Sequence, residues 1–301
     1  MLEDMKVAVA GASGFIGSAL VARLTDGGDQ VVRFVRRPAE APDEITWHPS
    51  AGDVEHWDRL EGVEAMVNLG GANLAAGRWT DERKSEIERS RIEGTRTLVA
   101  TMARMNHHPR RFVSVSAVGY YGDRGEEELT ESSPPGEGFL SDVCRAWEDE
   151  ALIAHCAGIR TMILRLGLVL GRGGVVARML PAFRAGVGGP LGNGRQWVSW
   201  IALGDLLEVI HQAMRGGLPD GVVNVVAPDP VRNRDFARTL GRVLHRPAVL
   251  PVPALALRAL FGEMADQALL ASTRAVPARL LAAGFPYRLP DLTGALRQSI
   301  G

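Results

Sequence analysis

The chain has 301 residues, a net charge of −1 and 46% hydrophobic residues, which leaves room for two domains of about 150 residues or one larger α/β unit. Such a charge gives no pull toward nucleic acid or a membrane surface. No apolar run reaches the roughly 18 residues of a spanning helix, and the opening MLEDMK carries acids where a secretory leader would be basic and then apolar, so a cytoplasmic protein is expected.

Residues 6–10, KVAVA, enter Gly11, Gly14 and Gly17 and then the helix-compatible SALVARLTDGG. Strand, tight turn and helix in that order, followed within about 30 residues by a second strand, QVVRFVRR, make a dinucleotide fingerprint. Gly11 lets the chain turn with no Cβ in the way, Gly14 lets backbone approach a pyrophosphate, and Gly17 lets the helix close on the strand. Ala12, Ser13, Phe15 and Ile16 complete the loop and the helix start, whose amides face the phosphates. The second strand ends Val35-Arg36-Arg37-Pro38 and offers no carboxylate. An NAD site puts an acid there for the ribose 2′-hydroxyl and an NADP site an arginine for the 2′-phosphate, so Arg36 and Arg37 predict NADP(H).

After ITWHP (45–49) and a short polar helix, EAMVNLGGAN (64–73) reads as a strand whose end, Leu69-Gly70, returns to the cofactor side. A long helix covers about 81–105, RRFVSVSAVGYYG (110–122) is the next strand, 123–138 a loop, 139–157 a helix and IRTMILRLGLVLG (159–171) a further strand. Cys144 and Cys156 fall on that one helix about 18 Å apart, too far to bridge, and fit a reducing compartment. The alternation predicts an α/β fold, a Rossmann-type doubly wound parallel sheet. Beyond Gly171, glycine turns surround an apolar helix at 175–187, then come RQWVSWI, a helix, the strand GVVNVVAP (221–228) and another helix. Residues 5–230 are expected to form the NADP-binding domain, with substrate-lobe insertions around 171–200, and 231–301 a small α-rich C-terminal lobe covering the cleft.

GASGFIG, NLGGA, SVSAVGYYG, LRLGLVLGRGG and RQWVSWIALGDL together resemble the extended short-chain dehydrogenase/reductases, the sugar-nucleotide epimerase and dehydratase superfamily. FL..VCRAWE, GRQWVSWI and GFPYRLPDLTGAL resemble more narrowly its atypical subgroup named "epimerase family protein", sometimes labelled cell-division inhibitor. The likeness covers nearly the whole chain. The superfamily moves protons with Tyr-x-x-x-Lys on the helix after a serine-bearing strand. With Glu148 set on the acid that often follows that motif, Leu140 takes the Tyr position and Cys144 the Lys position, and the helix holds neither residue type. Ser116 matches the catalytic serine and, with Tyr120 or Tyr121, is expected to polarise a carbonyl. Tyr120-x-x-x-Arg124 has the spacing of a substitute dyad but lies at the strand exit.

The superfamily's Asn-x-x-Gly-Thr becomes Arg91-x-x-Gly94-Thr95, and the subgroup implies cofactor contacts for Arg91 and Glu86; Arg165, in LRLGLVLGRGG, is grouped with them. Arg195, Trp197 and Trp200 lie on the segment that lines the substrate pocket in the superfamily, where an aromatic beside an arginine suits a planar or anionic substrate. Asp142, Glu148 and Asp149 remain acid/base candidates, with exposed helical charge as their default. No metal is expected, since no Cys/His/Asp cluster has ligand spacing. Two functions stay open: an NADP(H)-dependent oxidoreductase or epimerase-like enzyme acting on an unidentified small molecule, or a non-catalytic NADP(H) sensor or scaffold with a protein partner. The residues do not give the oligomeric state, although a homodimer formed by long helices is common in the superfamily.

Overall fold

Strand β1 (Lys6–Ala10) divides the core. Val7 and Val9 pack on one side with Leu20, Leu24, Leu206 and Ile210, while Ala8 and Ala10 pack on the other with Phe34, Met66, Leu98 and Met102. Side chains alternate across a sheet, so a strand apolar at every position is one covered on both faces. The computed structural model describes residues 4–301, and the first three residues of MLEDMK lie outside the described residues.

In chain order β1 is followed by α1 (Phe15–Asp26), β2 (Gln30–Val35), β3 (Glu44–His48), β4 (Asp53–Val54), β5 (Ala65–Asn68), α2 (Asp81–Arg104), β6 (Arg111–Ala117), β7 (Glu128–Leu129), α3 (Phe139–Leu152) and β8 (Arg160–Leu166). Then come β9 (Leu168–Leu170), α4 (Gly174–Arg184), β10 (Trp197–Val198), β11 (Trp200–Ala202), α5 (Leu203–Arg215), β12 (Gly221–Val225), β13 (Val231–Arg232), α6 (Asn233–Val243), α7 (Ala254–Phe261), β14 (Arg274–Ala275), α8 (Ala278–Ala282) and α9 (Leu292–Ile300). The main sheet runs β12-β8-β6-β5-β1-β2-β3-β4, parallel throughout except for the β3–β4 pair. Helices α1 and α5 cover one face and α2 and α3 the other. The chain steps outward from β1 to β2 and β3, then returns to β5 on the far side of β1, which opens a crevice at the carboxyl ends of β1 and β5.

The expected helix 139–157 is α3 followed by a 3-10 turn at Ile153–Ala157, closed by Gly158 in the left-handed region at φ 74°. Cys144 is thus buried in α3 and Cys156 exposed on the turn, both as free thiols. The expected strand 159–171 breaks at Gly167, where an added Cβ would lie 2.7 Å from the Ser199 carbonyl oxygen; the close approach sends β9 out of the main sheet to pair with β11.

Leu170, Val176, Phe183, Trp200, Phe236, Leu240 and Leu296 share one buried cluster, so residues 168–202 and 233–300 build a second layer together. Loop 123–138 is pinned to that layer: β7 pairs with β14, the Ser272 hydroxyl donates to Gly125 O at 2.6 Å, and the Thr273 hydroxyl donates to Gly122 O at 3.0 Å. Among the described residues no helix is long and apolar enough to cross a membrane.

Candidate cofactor cleft

At the end of β1 the backbone turns through Gly11 at φ 77°, and a Cβ there would stand 2.7 Å from the backbone carbonyl of Leu69 and 2.9 Å from Gly70 N. A Cβ on Gly17 would stand 2.1 Å from Gly11 O. The turn after β1, the end of β5 and the first turn of α1 therefore meet backbone to backbone. Gly14, exposed, donates its N–H to Gly11 O at 3.0 Å and caps α1 with extended backbone and no side-chain acceptor. Among the described residues the amides of Phe15, Ile16 and Gly17 find no acceptor, at the positive end of a helix. Ala12 is buried, Ser13 exposed, and the Ile16 side chain packs on the core. The Phe15 ring is ringed by a run missed in the sequence: Cβ atoms on Gly171, Gly173 and Gly174 would fall 2.8, 2.7 and 3.2 Å from it. The signal was present as GRGG.

Beyond β2 the two arginines part. Arg36 is exposed and makes no hydrogen bond or ion pair with any described residue. Arg37 grips Glu44 with both terminal nitrogens, at 2.9 and 2.8 Å.

Asn68 ends β5 buried. Its amide donates to the Thr95 hydroxyl at 2.8 Å and its carbonyl accepts from Gly70 N at 3.1 Å, while the Trp147 indole also donates to Thr95 at 2.8 Å. Arg91 lies half-buried on α2, donating to Ala72 O at 3.2 Å and Ile87 O at 3.0 Å, with its guanidinium 5.2 Å from the Trp147 ring. Burial pulls its pKa below the usual arginine value, and no described carboxylate pairs with it. Glu86 is instead exposed and bound to Arg83.

The default of exposed helical charge fails at Glu148. Asp142 and Asp149 are exposed, but Glu148 is buried and accepts the Ser116 hydroxyl at 2.6 Å and Arg165 Nε and Nη2 at 2.9 and 2.7 Å. Arg165 Nη1 donates to the Tyr121 hydroxyl at 2.9 Å, which donates to Asn224 Oδ1 at 2.7 Å, with Thr130 O 3.0 Å away. Burial would lower the Arg165 pKa, but Glu148 and Tyr121 more than offset it and the net shift is upward. Arg165 is therefore held inside this network; the residue grouped with the cofactor contacts is tied to Glu148 and Tyr121. Burial also raises the Tyr121 pKa, partly countered by Arg165. Cys144, at the Lys position, is pushed up to about 11 by burial and the Glu148 charge, so it is a neutral thiol. Tyr120 differs from its neighbours. Half-buried, it carries the Arg165 guanidinium 3.3 Å from its ring centroid, and its hydroxyl bonds to no described residue. Arg124 is engaged by Glu127 at 2.7 and 2.8 Å, so the cation at Tyr120 is Arg165.

Ser116, Tyr120 and Tyr121 are thus joined through Arg165 and Glu148, whereas the three residues expected at a substrate pocket separate. Arg195 is exposed, and Trp197 is half-buried between Arg232 and Arg274, 4.0 and 4.9 Å from its ring. Trp200 is 1% exposed in the second-layer core, donating to Asp229 O at 3.2 Å. Its ring fills the cluster that joins the two parts of that layer.

The model of the NAD dependent epimerase/dehydratase family matches residues 7–225, and a domain of unknown function (DUF1731) matches residues 252–299. An epimerase family protein of Mycobacterium leprae is 41% identical over 296 residues, covering 96% of this chain and 94% of that protein. The chloroplastic SDR39U1 homolog of Arabidopsis thaliana is 39% identical over 306 residues, covering 98% and 86%. The crystal structure of human epimerase family protein SDR39U1 (isoform2) with NADPH superposes with a TM-score of 0.89 at 35% identity, covering 98% of this chain and 99% of that one. With the glycine corner at a β1–β5 crevice and relatives matched along nearly its whole length, the chain belongs to the NAD dependent epimerase/dehydratase family.

Proposed function

We propose that the protein binds NADP(H) at the β1–α1 corner and uses it as an oxidoreductase or epimerase-like enzyme of the extended short-chain type, on a small carbonyl or alcohol substrate, without a Tyr-x-x-x-Lys dyad. The uncapped start of α1, the exposed Arg36 that bonds to no described residue and the NADPH named with the human relative support the cofactor. A bound reduced dinucleotide supplies the hydride. The chain's own part is to hold and protonate: the α1 amides take the phosphates, Arg36 takes the 2′-phosphate, and a hydroxyl gives its proton to the carbonyl oxygen.

The observation that carries the enzymatic reading is the Tyr120 hydroxyl. Ser116 spends its one proton on Glu148 and Tyr121 spends its own on Asn224. The Tyr120 hydroxyl gives its proton to no described residue, and the Arg165 cation lies against its ring face. The test is to mix pure protein, NADPH and a panel of carbonyl compounds and to follow the absorbance of the reduced nicotinamide. Consumption that disappears in Tyr120→Phe at unchanged NADPH affinity supports the assignment; consumption undiminished in that variant refutes it.

The commitment of Ser116 and Tyr121 favours a second reading, an NADP(H) sensor or scaffold without turnover. Tight NADPH binding with no consumption across the panel selects it. Absence of calorimetric heat with either pyridine nucleotide removes both.

A further inference from the structure

The loop between β2 and β3, residues 36–43, replaces a crossover helix with a stitched turn. The Ala39 N–H donates to the Thr46 hydroxyl at 3.0 Å, Arg33 Nε donates to Asp43 at 2.7 Å, and the Glu40 N–H donates to Glu44 Oε2 at 2.9 Å. Glu44, whose side chain is 3% exposed, stands beside Arg33 in the β2–β3 register. It accepts from Arg37 on both oxygens and has Arg33 Nη2 at 3.3 Å.

Resting on the NADP(H) reading above, we infer that Glu44 sets cofactor specificity by clamping Arg37, so that Arg36 alone reads the 2′-phosphate.

Three physical points carry this. A planar guanidinium gripping both oxygens of one carboxylate is a geometrically specific pair, and its net charge is cancelled for a phosphate arriving nearby. For Arg37 to turn toward that phosphate it would have to give up both of its bonds to a carboxylate with little access to water, which would keep only Arg33 Nη2 at 3.3 Å and the Glu40 N–H at 2.9 Å among the described residues. Glu44 itself, although an acid near the end of β2, has both oxygens occupied and is not available to accept a ribose 2′-hydroxyl as the acid of an NAD site would. Arg36, one residue earlier, has no competing partner among the described residues. The sequence therefore offers two adjacent arginines, and the fold subtracts one.

The test compares adenosine 2′,5′-bisphosphate with AMP by calorimetry, because the pair differs only in the phosphate at issue and the ratio of their affinities ignores a merely structural change, which would move both. Arg36→Ala is expected to lower the ratio by about tenfold, the scale of one charge-assisted contact, with AMP unchanged. Arg37→Ala is expected to leave the ratio within about twofold of wild type, and Glu44→Gln to raise it about threefold by releasing a second cation. The double variant Glu44→Gln with Arg37→Ala returns the ratio to the wild-type value. Equal losses in the two arginine variants, or no rise in Glu44→Gln, overturn the inference. Should Glu44→Gln fail to fold, the arginine pair decides it. A wild-type ratio near unity is a different result, since it removes the NADP(H) reading and the clamp with it.

Discussion

The β1–α1 corner and the β6–α3 end of the sheet are built from opposite materials. At the corner backbone lies on backbone, so that a single added carbon at Gly17 would sit 2.1 Å from a carbonyl oxygen. At the other end side chains close on one another: Ser116, Glu148, Arg165, Tyr121 and Asn224 form a buried chain of hydrogen bonds. Backbone contact demands a particular residue at a particular place, whereas a side-chain network demands partners from distant strands. The first fails by steric exclusion and the second by leaving a charge or a polar group alone.

The largest effect is expected at the charged pair. Glu148→Ala leaves Arg165, whose side chain is 4% exposed, with no counter-charge, and urea unfolding should register a loss of about 3–5 kcal/mol. A loss under about 1 kcal/mol would mean that water reaches Arg165, and the contrast between the two regions would weaken. Next comes Gly17→Ala, expected to cost about 3 kcal/mol because neither wall of the clash is a movable side chain; NADPH affinity should fall with it. A fully stable Gly17→Ala protein would show that α1 can move off the strand.

This contrast also governs what was legible. The glycine spacing and the two arginines after β2 could be read locally, because each depends on residues within about one βα unit, and the alternation of strands and helices carried the parallel sheet. Glu148 could not. Its neighbours on α3 include two exposed acids, and only the arrival of Arg165 on β8 and Ser116 on β6 makes the position interior. Arg37 and Arg36 are identical in sequence chemistry and differ through a carboxylate on the next strand. Tyr120 and Tyr121 are likewise adjacent, and a partner 103 residues further on, Asn224, makes one of them structural. The burial of Trp200 was not legible either, since β9 and β11 pair outside the main sheet and carry that ring into the second layer.

A smaller loss is expected from Tyr121→Phe, about 1–2 kcal/mol, because Asn224 Oδ1 loses its donor and Arg165 loses an acceptor inside the protein. An unchanged midpoint in urea would show that the network rearranges around the missing oxygen. Acid sharpens the comparison from the other side. The hydrogen bonds from Arg37 and then from the Glu40 amide hold the Glu44 carboxyl at about 2, against its usual 4.5. A lowered carboxyl pKa stabilises the fold above the unfolded value and loses that contribution as pH falls through the folded value. The stability gap between wild type and Glu44→Gln should therefore be flat above about pH 5 and shrink progressively toward about pH 2. A gap that shrinks on raising pH would reverse the sign and disprove the pairing.

Tyr120→Phe should produce the least change in folding of all. Its hydroxyl bonds to no described residue, and the ring that receives Arg165 survives the substitution. The unfolding midpoint should move by no more than the equivalent of about 0.5 kcal/mol, the scale of a surface change. Removing the neighbouring oxygen on Tyr121 costs stability because that oxygen holds two partners, so the two tyrosines form an internal control for one another. Under the enzymatic proposal the Tyr120 hydroxyl, which bonds to no described residue while its ring carries the Arg165 guanidinium, is the proton donor. If Tyr120→Phe destabilises the protein as much as Tyr121→Phe does, the oxygen has a structural partner after all, and the case for it as proton donor is lost.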